Sequence, residues 1–168
     1  MQQDVLDYVA QRLRGVLLEQ GLRYDVVDAA LAERSYDPHL AAQTASALEE
    51  WVQRGDWMDL LNAYARSVRI VRDQEGRYAV DAQQFTEPAS TTLYEALQRA
   101  QETIPEENAT LNQILSAIQK MIPAINAFFD EVLVMDENQA VRENRLGLLQ
   151  EIAALTAGVV DLSKLEGF

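Results

Sequence analysis

Apolar residues recur along this chain at helical rather than strand spacing. Between Asp4 and Gln20, Val5, Tyr8, Val9, Leu13, Val16 and Leu17 mark one helix, and Gly21 follows as a left-handed stop. Asp25 is placed to cap a second, shorter helix through about Glu33, and Asp37-Pro38 sets a capping carboxylate before a proline at the first position of a third. Beyond Gly55-Asp56, the set Trp57, Leu60, Leu61, Tyr64, Val68 and Val71 falls in a wedge of about 100°, the width of a core-facing stripe, and predicts helix four. Residues 73–90 break the pattern, with a turn signal at Glu75-Gly76, an extended reading over Tyr78–Val80 and a helix-breaking Pro88. Thr91 or Thr92 then opens a helix to about Thr103. Asn108 or Thr110 opens another through Leu111, Ile114, Leu115, Ile118 and Ile122, which Pro123 is expected to kink or restart. The stretch Pro123–Val134 is the most apolar, and a last helix is predicted from Asn138 to Leu162. No segment reads as sheet. The expected fold is all-α: an N-terminal helical lobe (1–73), a connector (74–90) and a C-terminal helical lobe (91–168), together one compact domain.

With 168 residues and 48% hydrophobic composition the chain suffices for one core but not for a large multidomain enzyme. Asp and Glu number 27 against 14 Lys plus Arg, a net charge of -13, opposite in sign to the usual nucleic-acid footprint. RNA binding would therefore need a local basic patch. The absence of Cys and the lone His39 rule out disulfides, thiolate nucleophiles and zinc sites built on Cys or His. No apolar run approaches a spanning helix and the N-terminus lacks a signal-peptide pattern, so the chain reads as soluble and cytoplasmic. Phosphate-loop and nucleophile-elbow motifs are absent. Chance carboxylate pairs are common among 27 acids, and no calcium-type loop organises them. His39, in the first turn of helix three, reads as structural, and Trp51 and Trp57 as core anchors.

The densest basic group is Arg66, Arg69, Arg72 and Arg77, with Tyr64 nearby. On a helical projection the first three fan across an exposed surface, which suits phosphate contact or stacking on unpaired bases. The same arrangement also suits an ordinary solvated face. Arg142 and Arg145 form a second pair. Arg145 projects only about 40° from Val141 at the centre of the buried stripe, so it needs an anionic partner. Asp130 or Glu131, at the end of the preceding helix, is expected to supply it, with an Asp130–Arg145 ion pair as the assignment. Arg142 is left open between structure and RNA, and Asn144 is expected to tie its helix to a loop.

The run Phe128-Phe129-Asp130-Glu131-Val132-Leu133-Val134-Met135 and the later Gln139-Ala140-Val141-Arg142-Glu143-Asn144-Arg145-Leu146-Gly147-Leu148-Leu149 resemble the DALR-type anticodon-binding domain. More specifically, they look like the C-terminal region of bacterial glycyl-tRNA synthetase beta subunits. The likeness extends through Val80-Asp81, Phe85, Glu87-Pro88-Ala89, Leu93-Tyr94 and Ala96-Leu97, and through the opening Leu13 to Ala32, where Gly21–Ala29 also fits, so it covers nearly the whole chain. Gln139 stands where the motif has Asp, and Val141 where it has Leu. The resemblance implies a helical bundle of the DALR type with an additional N-terminal lobe, binding glycine tRNA through Tyr64, Arg66, Arg69, Arg72 and Arg142. It implies an alpha-subunit partner that holds ATP and magnesium, with no cofactor, DNA or membrane contact in this domain. It also implies a piece of an ATP-dependent ligase that is itself non-catalytic. The contrasting class is a helical protein-interaction or scaffold domain whose arginines bind an acidic partner.

Overall fold

A computed structural model describes residues 1–168 as seven α-helices with no strand: α1 (Gln2–Glu19), α2 (Tyr24–Arg34), α3 (Pro38–Val52), α4 (Trp57–Val71), α5 (Pro88–Thr103), α6 (Leu111–Glu131) and α7 (Gln139–Ala153). Side-chain caps set three of the seven helix starts. Asp37 accepts from the His39 and Leu40 amides (3.0 and 3.1 Å), with Pro38 at the first helical position. Thr110 and Gln113 form a reciprocal capping box at α6. Asn138 accepts from the Val141 amide at α7 (3.3 Å).

Four boundaries differ from the sequence reading. Asp25 is not the cap of α2 but its second residue. Its buried carboxylate accepts from Arg23, from the Val26 amide and from the Glu166 amide, which recruits it to the C-terminal tail. Pro88 opens α5 rather than breaking the chain, because a proline at the first helical position forfeits an amide that would be unpaired anyway. Pro123 does not restart α6, which runs through it from Leu111 to Glu131. It is solvent-exposed, on the side where the Gln119 carbonyl that loses its amide partner can turn to water. Helix α7 stops at Ala153, nine residues before Leu162. Gly158, at φ 75°, turns the chain, and a short 3-10 turn over Leu162–Lys164 lies against α2.

One contiguous buried cluster draws on all seven helices. Its axis is α6, where Leu111, Ile114, Leu115, Ile118, Met121, Ile125 and Phe128 form an unbroken stripe. Helix α4, grouped by sequence with α1–α3, packs chiefly on α7 and α6, because its apolar wedge matches theirs. Of α1 only Leu17 is buried, and residues 1–8 are exposed throughout. No helix is long and apolar enough to cross a membrane.

The connector holds one 3-10 turn, Ala82–Gln84, and is strapped to α7. Asn144 accepts from the Asp81 amide (2.8 Å) and donates to the Asp81 carbonyl (3.0 Å), so it ties helix to loop as its position predicts. Gln150 does the same one level along, accepting from the Tyr78 amide (3.0 Å) and donating to the Gly76 carbonyl (2.7 Å). Between them Gly147 leaves room for the strap: a Cβ there would sit 2.7 Å from the Tyr78 carbonyl oxygen. Gly147→Ala removes a mid-helix glycine, worth about 1 kcal/mol, but forces a backbone shift costing about 1–3 kcal/mol. A net loss of about 1 kcal/mol in urea denaturation is expected, with faster hydrogen exchange at the Tyr78 and Asp81 amides. Unchanged exchange at both would show that the strap does not need this contact.

Candidate nucleic-acid interface

The outer face of α4 carries the arginines, and its geometry follows from the inner face. Trp57, Leu60, Leu61, Tyr64 and Val71 are buried, which turns Arg66, Arg69 and Arg72 outward, Arg66 half-buried and the other two exposed. No carboxylate oxygen lies within 4 Å of these three guanidinium groups, whereas Arg14, Arg23, Arg54 and Arg145 each have an acidic partner. Most basic side chains of the chain lack a carboxylate partner; what marks this face is that three such arginines lie along one helix.

Two of the three instead lie against aromatic rings. The Arg66 guanidinium carbon stands 4.5 Å from the Phe129 ring centre, and that of Arg69 stands 5.6 Å from Phe168. Phe129 is itself set edge-on to the fully buried Phe128 (5.6 Å, 85°), so the core fixes its plane. A guanidinium over such a ring keeps its charge and in-plane donors while losing rotational freedom. Arg72 follows the last residue of α4 and Arg77 lies in the strap; both are exposed.

Tyr64 is not on this face. It is 2% exposed, and its hydroxyl donates to the Ala153 carbonyl (2.7 Å) while sharing a bond with Thr156 Oγ1 (2.8 Å). Burial pushes its phenol up to about 12. The side chain therefore anchors the end of α7 and offers no ring for a base to stack on. Arg142 is half-buried and donates to the Asp136 carbonyl (2.8 Å), which ties it to the turn before α7 rather than to the α4 face.

Arg145 is buried and paired, as its angular position requires, but not with Asp130, which is exposed at the end of α6. Its guanidinium forks between the carboxylates of Glu87 and Asp136 (3.1 Å to the latter) and also donates to the Leu133 carbonyl (2.6 Å). The side chain thus fastens the α6–α7 turn to the start of α5. Glu87 and Asp136, like the aromatic seats Phe129 and Phe168, were not identified from spacing.

The match to a known family falls on these helices. A model of the DALR anticodon binding domain matches residues 60–162, from the first turn of α4 to the end of the bundle. The chain belongs to this family. The chain shares 34% identity over 99% of its length with a chloroplastic and mitochondrial glycine-tRNA ligase of Arabidopsis thaliana. It is also similar to glycine-tRNA ligase beta subunits of Desulforudis audaxviator (35% over 94% of the chain) and a Ruegeria species (32% over 98%). The chain spans only 16%, 23% and 25% of these relatives, respectively.

Proposed function

We propose that this DALR domain holds the anticodon region of glycine tRNA as the anticodon-binding part of a cytoplasmic glycine-tRNA ligase beta subunit. The observation that carries the reading is the pair of aromatic-seated, unpaired guanidinium groups, Arg66 and Arg69, inside the family-matched segment. Anticodon bases are unpaired and can splay onto planar side chains, and guanidinium planes stack on them while their edges reach phosphates. Because the chain is acidic overall, attraction is local: at physiological salt charges act over about 8 Å. The domain does no chemistry of its own. Glycine, ATP and magnesium are handled by a partner alpha subunit, and gripping the anticodon arm spends remote binding energy on orienting the acceptor end there.

The test is a titration of the chain with glycine tRNA and a non-cognate tRNA at about 50 and 200 mM salt. Preferential binding of glycine tRNA that weakens at the higher salt is expected. Equal affinity for both tRNAs, or none at low salt in a chain shown to be folded, refutes the reading.

A further inference from the structure

The last residue of α2, Arg34, is 6% exposed. Its guanidinium donates to the Gly158 carbonyl (3.3 Å), Thr44 Oγ1 (3.1 Å) and the Ala109 carbonyl (2.7 Å). All three acceptors are neutral, and no carboxylate oxygen lies within 4 Å. A guanidinium has five N–H donors, so two are left without a protein acceptor. The contrast with Arg145, equally buried but held by two carboxylates, is direct. Taking a cation out of water without a counter-charge is costly, and Arg34 forms part of the wall of an open cavity of about 620 Å³ between α3 and the α5–α6 loop. That volume is within the range of small-ligand sites.

The rest of the lining suits a nucleotide. Gln43, Asn108 and Asn112 contribute amides that can both donate and accept, and His39 adds an imidazole. Asn108 is the only non-glycine residue with positive φ (57°), so the loop carrying it is held in a conformation few residues adopt. The acidic lining residue, Glu50, lies three turns along α3 from His39. This cavity is also separate from the α4 face. Helix α6 runs from Leu111 in the cavity wall to Phe129 beneath Arg66, about 27 Å at 1.5 Å per residue.

We propose that the cavity seats the phosphate and base of one unpaired nucleotide, the phosphate on the free N–H groups of Arg34 and the base edge on Gln43 and Asn108. The source of that nucleotide, a second contact on the bound RNA, rests on the anticodon-binding reading; the phosphate chemistry does not. The test follows the Arg34 Nη–H resonances of the intact chain during titration with nucleoside 5′-monophosphates and, separately, with a short single-stranded oligoribonucleotide. Both are expected to shift them. Gln43→Ala/Asn108→Gly should weaken both affinities about tenfold without unfolding the chain, since Gln43 is an exposed helical residue and glycine readily adopts the left-handed conformation. Arg66→Ala/Arg69→Ala should leave the Arg34 response to monophosphates within about twofold, so failure at the α4 face is read separately. A response to monophosphates but not to the strand overturns the assignment to RNA and makes the ligand a free nucleotide. No response in either titration overturns the site and leaves Arg34 a structural tie.

Discussion

Replacing Arg145 by methionine is expected to destabilise the domain by about 3 kcal/mol, the lower end of the range for removing one partner of a buried ion pair. The lower end applies because the Glu87 and Asp136 side chains are 31% and 32% exposed and can be partly rehydrated, while the arginine is only 6% exposed. Methionine fills the volume but leaves two carboxylates facing each other and the Leu133 carbonyl without its donor. The loss also depends on pH. Asp136 is held below the usual carboxylate range, first by the Asn138 amide and then by Arg145. A depressed carboxylate contributes stability that is present above its unfolded pKa, about 4, and is lost as pH falls through the folded value. Removing Arg145 moves the folded value back toward ordinary, so the gap between wild type and variant should narrow below about pH 4. Urea unfolding at neutral pH and near pH 3 measures both effects. Equal stability at neutral pH would mean that the two carboxylates do not need the arginine, and a gap that widens in acid would remove Asp136 from the account.

What periodicity revealed and what it missed divide along sequence distance. The buried role of Arg145 was legible from its angle to Val141, but its partner Glu87 stands 58 residues away, and the nearer Asp130 was chosen because proximity in sequence is the only neighbour information a pattern contains. Tyr64 was legible and misassigned: the wedge that defines α4 already includes it among the core residues, and its closeness to the arginines in sequence counted for less than its face. By pattern Pro88 is a breaker and Pro123 a kink or restart. A proline's effect depends on whether its amide was needed, which is settled by the start of α5 in one case and by solvent exposure in the other. The aromatic seats of Arg66 and Arg69 come from α6 and from the C-terminal residue, contacts that no local pattern carries. Arg34 carries no signal in the sequence, because a single arginine ending a helix looks like an ordinary partner for the helix dipole.

Changing both Arg66 and Arg69 to alanine should weaken tRNA binding about a hundredfold. Base stacking on an aromatic ring is worth about 1–3 kcal/mol per base; with the same range for each guanidinium plane, two platforms are worth about 2–6 kcal/mol, and what solvent or a neighbouring arginine recovers brings the expected loss to about 3 kcal/mol. The salt dependence should change with it. If each arginine also neutralises one phosphate of the single-stranded loop, the slope of log affinity against log salt falls by about 0.7 per residue, about 1.4 in all. Folding is not the cause of the loss, since neither side chain has an ion-pair partner and neither is buried. Arg66→Lys/Arg69→Lys separates the two contributions. Lysine keeps the charge but not the plane, so it should restore the salt slope and leave most of the affinity loss in place. Recovery of full affinity by lysine would show that the face acts through charge alone and that Phe129 and Phe168 do not position a stacking surface. An unchanged affinity in the double alanine variant, with the domain folded, would move the anticodon contact off α4 altogether.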